Sequence, residues 1–447
     1  MIHSRIAVLS SALLALTLTS CDDGEGQKSA DAALDFGRPS LGDLAPPDAT
    51  IDAAPPAAEA GTPDADPPDA APSQTLCQGA GQRGLLSEPV SFFDGAAYSP
   101  RVHVANDGSY ALAWLTPDDA GAWSTLWFGR LNADGSARGV PIELGAARFP
   151  QHRLVRDGER FLVAWLNARR PNDAIPFKGV RVRAIDPDDS VIEMADIGGS
   201  ATSEHLAFDW AEFGGGMLVY TRGRQGQDGV AATPVTSELT YEATRPLTDS
   251  PASSPSVAYG NGAWGVAWLA RDGEHPSELA FLRVDDLAQA QAPERRYAGQ
   301  AVGNVHLAYG ANIYAVGWTR PDELGMPRSV VSFFDPEGEF LASPALTGPE
   351  GFSLVTDITH MPPLGFAVAY EESIGGAERR VGISYGSTTQ IVPPSPLPRA
   401  EGVAQQGLSV SGNQSRLAVV YSADPAPSNA GHSEAVRLVW APVGPCR

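Results

Sequence analysis

The stretch Ser99-Pro100-Arg101-Val102-His103-Val104-Ala105-Asn106-Asp107-Gly108 leads through a polar turn to Ala113-Trp114. It returns as Ser254-Pro255-Ser256-Val257-Ala258-Tyr259-Gly260-Asn261-Gly262, leading to Ala267-Trp268. In both copies, β-prone runs flank a turn of Asn, Asp and Gly, residues that accept the bent or left-handed backbone of a hairpin. An aromatic closes the second run, and this mark recurs at Trp114, Trp165, Tyr220, Trp268, Trp318, Tyr370 and Tyr421. The successive spacings are 51, 55, 48, 50, 52 and 51 residues. A near-constant period means a structural repeat, where 447 residues would otherwise suggest two or three unlike domains.

Each repeat holds about four strand-like runs. In the first they are Arg101–Ala105, Tyr110–Leu115, Leu126–Leu131 and Val140–Leu144. Turns of one type join the third and fourth runs: Asn132-Ala133-Asp134-Gly135, Asp186-Pro187-Asp188-Asp189 and Asp335-Pro336-Glu337-Gly338. Four antiparallel strands in about fifty residues describe a propeller blade. The expected fold is therefore all-β, a seven-bladed β-propeller of four-stranded antiparallel blades, with the closing aromatics packed between blades. The last repeat has only three runs, Leu408–Ser411, Leu417–Tyr421 and Ala435–Trp440. A spare run, Glu88–Asp94, precedes the first repeat. The N-terminal strand is thus expected to complete the last blade.

Outward from the repeats, residues 22 to 76 hold ten Asp and two Glu against Lys28 and Arg38, with nine prolines and Phe36 as the only aromatic. Such a segment buries too little apolar area to offset its ordering entropy, and its prolines and like charges extend it. Before it, Arg5 and the apolar run Ile6 to Leu18 have the form of a secretory signal. The run ends in Leu18-Thr19-Ser20-Cys21, which resembles the lipobox of bacterial lipoproteins. The resemblance implies lipidation at Cys21 and anchoring in a bilayer through its acyl chains. The chain is therefore divided into a signal peptide (1–20), a lipidated cysteine with a disordered stalk (21–76) and the repeat domain (77–447), in the bacterial cell envelope. Cys77 and Cys446 remain, at the two ends of the repeat domain. In an oxidising compartment they can pair, closing a loop long enough to contribute about 5 kcal/mol in the chain-entropy model; the alternative is two free thiols.

The repeat as a whole resembles uncharacterised secreted β-propeller lipoproteins of bacteria, with units of the form Pro-x-Val-Ala-x-x-Gly followed by a second run ending in Trp. It departs from the WD pattern, from the sialidase Asp-box and from calcium-binding blades. The formal net charge of −22 argues against nucleic acid as a partner. No zinc, EF-hand, phosphate-loop or nucleophile-elbow motif is present, so neither cofactor nor metal is expected.

Candidate site residues come from position. His103, His152, His205 and His306 all fall in first strands, but at unequal offsets, so they do not share one face. A ring of polar residues, Arg101, Gln151, Glu204, Ser256 and Asn304, is expected around the channel mouth. The connections between second and third strands are the longest: 167–177, 221–229, 270–277, 319–328 and 422–433. They carry Arg169, Arg170, Arg222 and Arg224, a residue type suited to carboxylates. The expected function is a monomeric, non-catalytic binding or scaffold protein for an envelope protein or acidic polysaccharide. The alternative is a carbohydrate-active enzyme, a glycosidase or lyase, with its site at the channel mouth.

Overall fold

A computed structural model describes residues 90–442, with breaks at 95, 118–123, 168–178, 195–196, 198–204, 224–227, 272–276, 298–299, 345, 347–351, 363–364, 374–378, 389–390, 397–403 and 425–434. Its described elements are all β-strands. In the first two repeats they are β1 (Val90–Asp94), β2 (Tyr98–Val104), β3 (Tyr110–Pro117), β4 (Ser124–Leu131), β5 (Ala137–Asp157), β6 (Arg160–Asn167), β7 (Val180–Ile185) and β8 (Val191–Glu193). The third and fourth repeats comprise β9 (Leu206–Ala211), β10 (Gly215–Thr221), β11 (Val230–Val235), β12 (Arg245–Thr248), β13 (Ala252–Gly260), β14 (Ala263–Ala270), β15 (Glu278–Val284) and β16 (Arg295–Tyr297). The fifth and sixth comprise β17 (Val302–Gly310), β18 (Ile313–Pro321), β19 (Pro327–Phe334), β20 (Phe340–Ala342), β21 (Phe352–Met361), β22 (Gly365–Ser373), β23 (Arg379–Gly386) and β24 (Ile391–Pro396). The last contributes β25 (Ala404–Gly412), β26 (Arg416–Asp424) and β27 (Ala435–Pro442).

Strands β9 to β24 form four antiparallel sheets of four, one per repeat. Strands β2 to β8 form one sheet of seven, because β5 serves two repeats. Its first half pairs with β4 and its second half, from Ala147 on, with β6. The last sheet runs β1-β27-β26-β25, with Val90 opposite Leu438 and Asp94 opposite Ala435. Strand β1 therefore supplies the strand that the last repeat lacks.

The turns follow from their carboxylates. Asp134, Asp188 and Asp107 each accept the N–H two residues on, from Ser136 (2.9 Å), Ser190 (3.0 Å) and Ser109 (2.9 Å). This local bond competes with strand extension and fixes the reversal. One expected long connection, 319–328, is instead a tight turn: β18 and β19 pair out to Pro321 and Pro327. Asp322 accepts from the N–H groups of Leu324 and Met326, both at 2.9 Å, so the strands extend further than composition implied.

There is no single core. Among the described residues the buried apolar side chains form seven clusters, each made by two successive repeats. One joins Val102, Tyr110 and Trp114 of the first repeat to Ala418, Val420 and Leu438 of the last. All seven closing aromatics are buried, none more than 4% exposed. Two faces of each sheet must be covered, and the neighbouring repeats cover them.

Close approach between repeats uses glycine. A Cβ on Gly310 would lie 1.9 Å from the His360 ring, and one on Gly260 would lie 2.1 Å from Tyr309. Gly310→Ala must therefore displace His360, which packs on Phe366 at 5.2 Å. Overpacking of this kind costs about 1–3 kcal/mol. Denaturant unfolding of the variant should show that loss, whereas Leu324→Ala, at a side chain 85% exposed, should change stability by less than about 0.5 kcal/mol.

Candidate functional site

The first strand of each repeat pairs on one side only, with the second strand. Its other edge carries backbone groups without a ladder partner, which need another source of hydrogen bonds. Side chains from the preceding repeat supply them. The Leu307 N–H donates to Ser256 Oγ (2.9 Å), and the Val410 N–H donates to Asp357 Oδ2 (3.1 Å). The Val102 N–H donates to Ser409 Oγ (3.5 Å), which bridges the last repeat to the first.

These acceptors share one register. In every repeat the residue opposite the position just before the closing aromatic is, in order, Arg101, Arg153, Ala207, Ser256, His306, Asp357 and Ser409. Six of the seven first strands carry a bulge shortly before or at this level. Bulges re-aim side chains and bend the strand, here in step around the repeats.

Long side chains cross between repeats at this level, adjacent and non-adjacent. Arg101 reaches Asp357, with Nη1 to Oδ2 at 3.7 Å, and His306 Nδ1 lies 3.8 Å from Asp357 Oδ1. Asp357 is engaged further, because Ser409 Oγ donates to its Oδ2 at 2.7 Å. Arg153 Nη1 donates to the His152 carbonyl at 3.0 Å. His152 Nε2 lies 3.4 Å from the Ala113 carbonyl, so Nε2 carries the proton, while Nδ1 is buried without a partner among the described residues. His306 Nε2 is in the same condition.

Burial sets the protonation of the cluster. It pushes the imidazoles of His152 and His306 well below their ordinary value, and the charges of Arg101 and Arg153 push the same way. His205 falls to about 4, first by burial and then through Arg271 and Arg153. Burial also lowers the Arg153 guanidinium to about 9, with Arg101 adding to the effect and Asp357 opposing it. At neutral pH the cluster therefore contains two cations, one carboxylate and neutral imidazoles. Arg101 and Asp357 keep 17% and 20% of their side-chain surface exposed, so the cluster is not sealed.

The sequence-derived ring separates into two layers. Arg101 and Ser256 occupy the shared register, while Gln151 and Asn304 lie two residues upstream, in the bulged segments. Asn304 Oδ1 sits 3.2 Å from Ser254 Oγ. Arg222 is ion-paired with Asp249 and donates to the Thr248 carbonyl (3.4 Å). Glu204, Arg169, Arg170, Arg224, Cys21, Cys77 and Cys446 lie outside the described residues. Arg153, Asp357 and Ser409 were missed by position counting. They become visible when each strand is counted back from the closing aromatic through its hairpin. Among the described residues no three His, Cys, Asp or Glu side chains stand together as metal ligands.

No protein-family model matches the sequence, and no curated protein is similar to it. Solved structures do share its fold. A PL25 ulvan lyase bound to -[GlcA(1-4)Rha3S]- superposes with a TM-score of 0.53 at 10% identity, covering 78% of this chain and 95% of the lyase. The polysaccharide lyase Uly1 gives a TM-score of 0.52 at 11% identity, covering 80% of this chain and 100% of the lyase. The β-propeller domain of the Trilobed protease from Pyrococcus furiosus gives 0.48 at 11% identity, covering 78% and 94%. At such identities the likeness is one of fold.

Proposed function

We propose that the chain is an envelope-tethered, carbohydrate-active protein: a closed seven-bladed β-propeller, lipidated at Cys21, that engages a polysaccharide at the centre of its ring. The observation that carries this reading is the meeting of Arg101, Arg153, His306, Asp357 and Ser409, from five repeats, at one level of the fold. The buried clusters between repeats are built mainly from apolar side chains, and a few convergent polar groups in an apolar frame are what orient a bound small molecule. Ring closure is supported by the apolar cluster and the Val102–Ser409 bond between first and last repeats. Fold likeness to two polysaccharide lyases raises the carbohydrate-active reading above the non-catalytic scaffold, as an analogy of fold. Among the described ring residues Asp357 is the one carboxylate, whereas glycoside hydrolysis uses two opposed acids.

Affinity electrophoresis of the full lipidated chain through gels containing different polysaccharides tests the reading, with product sizing after incubation. Retardation by a polysaccharide of the panel is expected, and Arg101→Ala should weaken it about tenfold or more, the worth of one hydrogen bond to a charged group. Unchanged migration in every gel, or retardation indifferent to Arg101, would sink it.

A further inference from the structure

We propose that the cluster of Arg101, Arg153, His152, His306 and Asp357 is a binding site for one carboxylate group, so that the sugar it selects is a uronate. This rests on the reading above for placing a glycan at the centre of the ring, and goes beyond it in naming the group recognised.

The argument begins with charge. Two guanidiniums face one carboxylate among the described ring residues, and the neighbouring imidazoles are neutral at pH 7. Buried cations are normally paired, because removing a charge from water is costly. Here the pairing is incomplete. Asp357 Oδ2 already accepts from Ser409 and Val410, and its distance to Arg101 is 3.7 Å, so it does not chelate either guanidinium. Arg101 Nε is buried without a partner, and the described hydrogen bond of Arg153 goes to the carbonyl of its neighbour. Two guanidinium forks with one net positive charge fit a planar monoanion.

The second observation is independent of charge. His306 is 7% exposed and His152 fully buried, and each has a ring nitrogen without a partner. For His152 that nitrogen is Nδ1, a lone-pair acceptor, since Nε2 holds the proton. It calls for a donor such as a hydroxyl. A carboxylate next to hydroxyls satisfies both halves of the cluster, whereas chloride or inorganic sulfate satisfies only the charge.

Calorimetric titration of the full chain at pH 7 with sodium D-glucuronate, D-glucuronamide, D-glucose and D-glucose 6-sulfate tests this. Saturable binding of glucuronate is expected, with the amide and glucose at least tenfold weaker. Arg153→Met should weaken glucuronate at least tenfold, and Asp357→Asn, which removes the one competing carboxylate without changing its shape, should strengthen it about tenfold. The proposal is overturned by equal binding of glucuronate and glucuronamide, by a preference for the sulfate ester, or by weaker binding in Asp357→Asn. Should Arg153→Met not fold, the comparison of acid with amide and the Asp357→Asn variant still decide. Glucuronate binding with these responses but no polysaccharide binding retains the inference and removes the broader reading. Polysaccharide binding indifferent to Arg153 and Asp357 does the reverse.

Discussion

Acidifying the folded protein from pH 7 to pH 5 should remove roughly 5 kcal/mol of its stability. Four histidines are chiefly responsible, and His360, which burial also lowers, adds to them. Burial holds His103 and His205 at about 4, and holds His152 and His306 well below the ordinary value of 6.5. In the unfolded chain all four take up protons near pH 6.5, while in the folded chain they stay neutral. A group with a depressed folded pKa contributes stability that is complete above its unfolded pKa and is lost as pH falls. Each imidazole should therefore cost roughly 1–2 kcal/mol between pH 7 and pH 5. One group works in the other direction. Burial raises Asp209 to about 6, although the Tyr259 N–H donates to it at 3.0 Å. The folded chain takes up that proton first, so Asp209 returns about 1 kcal/mol over the same range. The net loss is comparable to the whole stability of an ordinary domain. Guanidinium unfolding at pH 7, 6 and 5 should show the steepest fall between 6 and 5, and replacing one buried histidine by asparagine should flatten it. A flat profile would mean that these imidazoles are solvated.

The second large effect concerns the ends of the chain. Removing residues 1–76 should leave the cooperative unfolding transition in place, whereas removing residues 1–94 should abolish it. The second truncation takes away β1 and leaves β27 with an unpaired edge. It also strips Phe92 and Phe93 from Trp114, which they pack against at centroid distances of 4.8 and 5.7 Å. Phe92 in addition lies over Gly129, where a Cβ would meet its ring at 2.8 Å. Single Phe92→Ala is expected to cost about 3 kcal/mol, since the site cannot collapse around a missing ring. Because every repeat is covered by its two neighbours, opening one interface exposes apolar surface on both sides of it. Calorimetry of the two truncations settles the matter: equal transitions would show that β1 is dispensable.

How much was legible beforehand differs between fold and site. The closing aromatics identified the repeat because each is a large side chain at a fixed place in a hairpin, and such side chains bury together. Turn residues with their own carboxylate or glycine marked where strands reverse. The short last repeat and the spare Glu88–Asp94 run foretold the β1–β27 pairing, since an incomplete sheet leaves an edge to be covered. Local chemistry and period were enough for these.

The site depended on register, which local chemistry does not specify. Counting forward from the start of the first strand placed Gln151 and Asn304 beside Arg101, yet they lie two residues before the shared level. A bulge intervenes in each strand, and every residue it inserts moves the following side chains to the other face. Nor does the sequence say that Arg101 and Asp357, 256 positions apart, stand 3.7 Å from one another. Sequence alone determined the unit, its number of strands and its turns, because these are settled within about fifty residues by side-chain size and backbone preference. Only the tertiary structure decided which charges meet at the shared level, because that depends on how the bulged strands of non-adjacent repeats are brought together.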